Sequence, residues 1–193
     1  PPPPPFFQAE DGIRDVAVGL VGSEMCIRDR TWAAMEWIRY GRPSALGTVT
    51  GMVAGLGTIT PASGFVGPMG ALVIGISAGF VCFFATSFIK QKLRIDDSLD
   101  VFPVHGVGGI IGTLFAGIFV SAGLGGAGYA EGMNMGSQLG VQLTGVIATI
   151  VFTAVATFVS LKIVDMLLGL RVTDEEETEG LDINQHDERG YIL

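Results

Sequence analysis

The chain has 193 residues, 49% of them hydrophobic and only 16% charged, with a mean hydropathy of +0.53. This excludes a disordered chain, which needs little hydrophobicity and much charge, and 29 glycines without a Gly-X-Y period exclude collagen. Two cysteines cannot build a disulfide framework or a four-ligand zinc site, and a formal charge of −8 argues against a nucleic-acid binder, which carries a basic stripe.

The charge is unevenly spread. Residues 1–30 hold five acids and three bases, residues 31–170 hold six of each, and residues 171–193 hold eight acids and two bases. The acidity therefore belongs mainly to a short tail, and the body is neutral. Residues 1–30 begin with Pro1 to Pro5, a run that favours polyproline II. They lack the basic start, apolar core and small-residue cleavage site of a signal peptide. The stretches Phe6 to Asp15 and Ser23 to Arg30 resemble translated sequencing-adapter DNA fused to a gene fragment. The alternative is a short unstructured extension, and under either reading the segment adds nothing to the fold.

From Thr31 onward the chain reads as membrane helices. Thr31 to Tyr40 is mostly apolar and stops at Gly41-Arg42-Pro43, the end of one helix. No Asp, Glu, Lys or Arg occurs from Pro43 to Ile89, from Val101 to Ala130, or from Gly132 to Leu161. A spanning helix needs about 20 mostly apolar residues. The first run holds two such spans, broken at Thr60-Pro61-Ala62-Ser63-Gly64 and Gly67-Pro68. Full helices are predicted at 44–60, 69–91, 99–121 and 137–168. The basic residues Arg39, Arg42, Lys90, Lys92, Arg94, Lys162 and Arg171 lie at one set of ends, and the loops around Pro61 and Gly125 carry none. The positive-inside rule then places the C-terminus in the cytoplasm. Buried helices of a soluble protein would leave that asymmetry unexplained.

Glycines recur every four residues at Gly47, Gly51 and Gly55, and again at Gly75 and Gly79, Gly108 and Gly112, and Gly136 and Gly140. In lipid, small residues at this spacing allow close backbone approach. Cys82 is expected to pack as a small apolar residue. His105, early in the third full helix, is the ionisable group placed within a span, and such a group marks function by default. At helical spacing it shares a face with Val101, Gly108, Gly109 and Gly112, a surface nearly free of side chains that suits a narrow bore. Imidazole can take or give a proton near neutral pH. A histidine bonded to a neighbouring helix for packing is the plain alternative.

Asp96, Asp97 and Asp100 precede that helix. Capping accounts for Asp96 or Asp97, and Asp100 is expected to anchor groups at the inner mouth. Asp165 is expected to pair with Lys162 three residues before it. In the tail, Thr173-Asp174-Glu175-Glu176 matches a capping box, opening a short acidic helix that ends at Gly180. His186 reads as an exposed residue without chemistry. Facing aspartates at membrane depth, a convergent serine–histidine pair, a Gly-Lys-Ser/Thr loop and a metal cluster are all missing from the pattern, so no enzyme, cofactor or metal is predicted.

Several motifs then fall in order. Arg42-Pro43-Ser44-Ala45-Leu46-Gly47, Ala54-Gly55-Leu56 and Ile59-Thr60-Pro61-Ala62 are similar to the eighth helix of ammonium transporters of the Amt/Mep/Rh type. Asp96-Asp97, Asp100-Val101-Phe102 and Val104-His105-Gly106 resemble the start of their tenth. Gly117-Ile118-Phe119, Gly169-Leu170-Arg171-Val172 and Glu179-Gly180-Leu181-Asp182 extend the resemblance over residues 31–193. It implies an all-α polytopic membrane protein, the C-terminal part of an eleven-helix bundle, with four full transmembrane helices plus the end of a fifth. Residues 31–170 would form the transmembrane domain and residues 171–193 a cytoplasmic regulatory tail.

The resemblance further implies a homotrimer in the cell membrane with one pore per protomer. Ammonium would be deprotonated, and ammonia and a proton would pass two facing histidines. His105 matches the second of these, Val101 and Val53 would line the same pore, and Asp100 and Asp97 would be structural at the inner mouth. Arg171, Glu179, Gly180, Leu181 and Asp182 match the regulatory tail, which in prokaryotes adjoins a PII-type signalling protein. Asp187 stands where the family commonly has glycine, a departure from the family pattern in the tail. An ammonium sensor of the same fold and a nonconducting truncated product are the alternatives.

Overall fold

The computed structural model describes residues 30–188, and its secondary structure there is helical. The adapter-like segment, apart from Arg30, lies outside the described residues. Helix α1 covers residues 30–40 and ends at Gly41 in the left-handed region. Helix α2 (Ala45–Ile59) runs into a tight turn at Thr60–Ala62. Helix α3 (Pro68–Ser87) starts with proline in its first turn and ends in a wide π-type turn, Phe88–Leu93. Helix α4 joins a second wide turn, Phe102–Val107, to the regular segment Gly108–Phe119. Helix α5 (Met135–Leu167) is followed by two short tail helices, α6 (Asp174–Glu179) and α7 (Leu181–His186).

Four of these segments are long and apolar enough to cross a membrane: Ala45–Ala62, Pro68–Leu93, Phe102–Phe119 and Met135–Leu167. The last has 33 residues and, at 1.5 Å per residue, measures about 50 Å, longer than a hydrocarbon core of about 30 Å. The chain is thus an all-α, multi-pass membrane protein. Its contacts divide it into two units that meet in sequence between Val146 and Ile147.

In the first unit the helices pack through small residues. The buried stripe of α2 is Gly47, Gly51, Ala54, Gly55, Thr58 and Ile59, and that of α3 includes Gly70, Ala71, Gly75, Ala78, Gly79 and Cys82. Gly112 of α4 touches the Thr58 carbonyl, and any Cβ there would overlap that oxygen. The Thr58 hydroxyl donates to Ala54 O at 3.0 Å, so burial leaves it satisfied. One core cluster joins Ile59, Ala62, Val66, Ala71, Ile74 and Ala116, and a second joins Trp32, Ala54, Cys82, Phe83 and Val104. In the second cluster Trp32 meets Phe83 edge to face at 5.5 Å, which seats α1 on α3. At the opposite end Ala127 N donates to Phe65 O at 2.9 Å and ties the two loops free of Lys and Arg together.

In the second unit the predicted capping box forms. Thr173 Oγ1 accepts from Glu176 N, and the Glu176 carboxylate accepts from Thr173 N. Gly180 ends α6 at φ +109, in a region that side chains disfavour. The expected pair of Lys162 with Asp165 does not form. The ion pairs within the described residues are Lys90 with Asp100 and Arg171 with Glu177.

Candidate functional site

Position 105 is set by the turn that precedes it. Arg94 (φ +54) and Asp100 (φ +56) are both left-handed and reverse the chain between α3 and α4. Non-glycine residues adopt this region at a cost, and aspartate tolerates it better than most. Asp97 then caps α4. Its Oδ1 accepts from Val101 N and its Oδ2 from Phe102 N, both at 2.8 Å. Lys90 Nζ, from the last turn of α3, lies 2.9 Å from Asp100 Oδ1, a charge contact without hydrogen-bond alignment. The capping role predicted for the aspartates thus falls to Asp97, and Asp100 anchors a lysine side chain.

Beyond Asp100 the chain winds as a wide turn that carries His105 near its middle. Pro103 fits because it falls in the first turn, where a missing N–H costs nothing. The ring of His105 lies over α2 at Gly57, where a Cβ would stand 3.4 Å from Nδ1. Val53, one turn before Gly57, is 41% exposed, and Val101, one turn before His105, is 53% exposed. His105 is exposed too. The three residues lie where α2 meets the wide turn, outside the buried core of the unit.

One expected face is corrected. Gly108 and Gly112 do not share the surface of His105. They are buried with Val104 and Ala116, at four-residue spacing, against Thr58. The wide turn inserts extra arc between His105 and Gly108, so regular helical counting across it fails. Gly109 does keep open space beside it.

A cavity of about 200 Å³, lined by both charged and apolar residues, occupies the end of the unit where Lys90 and Asp100 meet. Its lining includes Trp32, Glu36, Ser44 and Thr86. Glu36 is buried and holds the start of α2: Ser44 N donates to its Oε2 at 2.6 Å and Ser44 Oγ to its Oε1 at 3.0 Å. Ser44 Oγ in turn accepts from Gly47 N at 2.9 Å. The carboxylate occupies the space that a side chain at position 47 would fill. An anion at a helix N-terminus is favoured by the unsatisfied N–H groups there. Among the described residues no group of three or more His, Cys, Asp or Glu is placed to hold a metal ion.

The sequence profile described as "Ammonium Transporter Family" matches residues 26–191. The chain belongs to the ammonium transporter family. It is 44% identical over 162 residues to the ammonium transporter of Bacillus subtilis, covering 83% of this chain and 40% of that protein. It is 41% identical over 181 residues to Ammonium transporter Amt1 of Archaeoglobus fulgidus, covering 92% and 45%. Among solved structures, a protein titled "Sensor Amt Protein" superposes with a TM-score of 0.82 at 30% identity, over 91% of this chain and 43% of that one. Mep2 of Saccharomyces cerevisiae superposes with a TM-score of 0.72 at 32% identity, over 85% and 41%. The transporter segment thus spans about two fifths of the length of these relatives.

The structure places His105 over Gly57, with Val53 one turn earlier on α2, Val101 at the start of the wide turn, and Asp97 and Asp100 directly before it. The remaining sites predicted for this ammonium transporter family member lie in the second unit. Arg171 contacts Glu177 at 2.8 Å, Glu179 accepts from Asn184 at 3.2 Å, and Gly180 leads into α7, which opens with Leu181 and Asp182. Two partners escaped the sequence reading, Glu36 and Lys90. Glu36 left a signal, as the one acid in a mostly apolar segment ahead of a Ser–x–x–Gly cap. Lys90 left none beyond its place at a helix end.

Proposed function

We propose that the complete protein containing this chain moves ammonium across the cell membrane. His105, Val101 and Val53 form part of the wall of an apolar pore, and His105 handles the proton. The observation that carries this reading is the placement of an imidazole over the bare backbone of Gly57, outside the packed core. A cation pays a large desolvation cost in such surroundings, whereas neutral ammonia crosses far more cheaply. An imidazole there can accept a hydrogen bond from ammonia or take up the proton that ammonium sheds. The substrate recorded in the names of the relatives agrees with this chemistry.

Lys90, Glu36 and Asp100 line one cavity at one end of the first unit, and the loops that join Phe65 to Ala127 lie at its other end. Under the positive-inside rule the Lys90 end is cytoplasmic, and so is the tail, residues 171–193. The tail is the regulatory element, open to a PII-type partner, and the complete protein is a homotrimer. The transmembrane domain comprises residues 31–170. A second reading, an ammonium sensor of the same fold, draws on the likeness to the "Sensor Amt Protein".

The test is ammonium-evoked current from the complete protein in liposomes, beside its His105→Ala variant. Transport predicts a current in the parent and altered selectivity or proton coupling in the variant. Binding and tail movement without current would favour the sensor. A variant equal to the parent in both properties would reduce His105 to packing.

A further inference from the structure

We propose that Lys90 is a positioning residue for His105, acting through Asp100; the flux expected of it rests on the transport reading above. Three observations converge on this contact. First, Asp100 holds a left-handed backbone, φ +56, which costs energy even for aspartate and so is held by its surroundings. Second, the Asp100 side chain is only 15% exposed, and the cation beside its buried Oδ1 is Lys90 Nζ at 2.9 Å. Third, the backbone of Asp100 feeds directly into the wide turn, where Val104 N donates to Asp100 O at 3.0 Å one residue before His105.

The geometry works as a strut. Asp97 fixes where α4 begins, because its two oxygens hold the amides of residues 101 and 102. That cap leaves rotation about the start of the helix open. Lys90 fixes the rotation by tethering the side chain of residue 100 to the last turn of α3, an element buried against α2 through its own small residues. A wide turn can convert to a regular α-turn by shifting its hydrogen bonds by one residue, which swings every side chain it carries. Holding residue 100 opposes that shift and keeps the His105 ring over Gly57. The effect of Lys90 on the pore is expected to run through this placement, because its charge is spent on Asp100.

The test uses the complete protein with histidine labelled by 15N, the His105 signals being identified by their loss in His105→Gln. Lys90→Met removes the charge and keeps the length. Asp100→Asn removes the ion pair and keeps a residue that tolerates the left-handed region. Lys90→Arg keeps the cation. Lys90→Met and Asp100→Asn are expected to shift the His105 signals and to lower ammonium-evoked current about tenfold or more, as small misplacements of a working group do. Lys90→Arg is expected to keep both near parental values. If Lys90→Met leaves the His105 signals where they were, the proposal is wrong, whether or not current falls. Shifted signals with parental current would equally overturn it. A parent that carries no ammonium current would remove the transport reading, while the His105 signals would still decide the positioning role.

Discussion

Glu36 and Gly47 occupy one space, and this leads to a reversal of sign that can be measured. With Glu36 present, Gly47→Ala drives a Cβ into its carboxylate. The carboxylate must leave, and its two hydrogen bonds to Ser44, at 2.6 and 3.0 Å, are lost. Hydrogen bonds to a charged group are worth about 1.5–3 kcal/mol each when protected. Here Ser44 is exposed and water replaces part of the loss, so about 2 kcal/mol for the pair is a reasonable magnitude. Glu36→Ala alone should cost about the same, about 2 kcal/mol. In that background Gly47→Ala meets no carboxylate, and alanine gains up to about 0.5–1 kcal/mol over glycine in a helix. Gly47→Ala is therefore destabilising in the parent and stabilising beside Glu36→Ala. Thermal unfolding of the four purified proteins at one scan rate, followed by tryptophan fluorescence, reads the cycle. The same shift for Gly47→Ala in both backgrounds would refute the reasoning, because the two positions would then be independent.

Asp97→Ala should destabilise the start of α4 by about 1–2 kcal/mol, since two backbone amides lose their acceptor, and Asp97→Asn should recover part of it; the midpoint of thermal unfolding orders the three proteins. Thr173→Ala removes the acceptor for Glu176 N and should lower hydrogen-exchange protection at Glu176 about fivefold, the equivalent of roughly 1 kcal/mol, with no change in α5.

The four spans were legible because charge is so costly in lipid that its absence marks each of them. The run from Pro43 to Ile89 divides where Pro61 and Pro68 interrupt it, and the helices observed there are Ala45–Ile59 and Pro68–Ser87, close to the predicted 44–60 and 69–91. The capping box at Thr173 was legible because its chemistry is confined to four residues. The surroundings of His105 were only half legible. Its place beside α2 could not be read at all, and its relation to Gly112 crosses a turn whose extra arc leaves no mark in a sequence read at 3.6 residues per turn. Glu36 and Ser44 meet across the Gly41-Arg42-Pro43 reversal, and Lys90 meets Asp100 across a loop with two left-handed residues. Such contacts depend on the path of the chain, which local patterns do not encode.

Burial in the first unit runs opposite to the rule for soluble cores. The buried stripes are mostly glycine, alanine, threonine and cysteine, with Ile59, Ile74 and Phe83 among them, whereas Leu46, Met69, Ile76, Phe80 and Phe84 face outward. In water this arrangement would gain little from the hydrophobic effect and would expose a large apolar surface. In lipid the large side chains lose nothing by facing out, and association depends on how closely backbones can approach. The two environments therefore predict opposite responses to enlargement. Gly112→Leu adds a branched side chain against the Thr58 carbonyl, where no side chain can yield, and overpacking of this kind costs about 1–3 kcal/mol or more. Phe80→Leu, on the outward face of α3, should cost less than about 0.5 kcal/mol. Thermal unfolding of the complete protein in detergent should show a lowered midpoint for the first variant alone. Equal tolerance of both would mean that α2 and α4 are not held in backbone contact, and that the outward apolar faces need an explanation other than lipid.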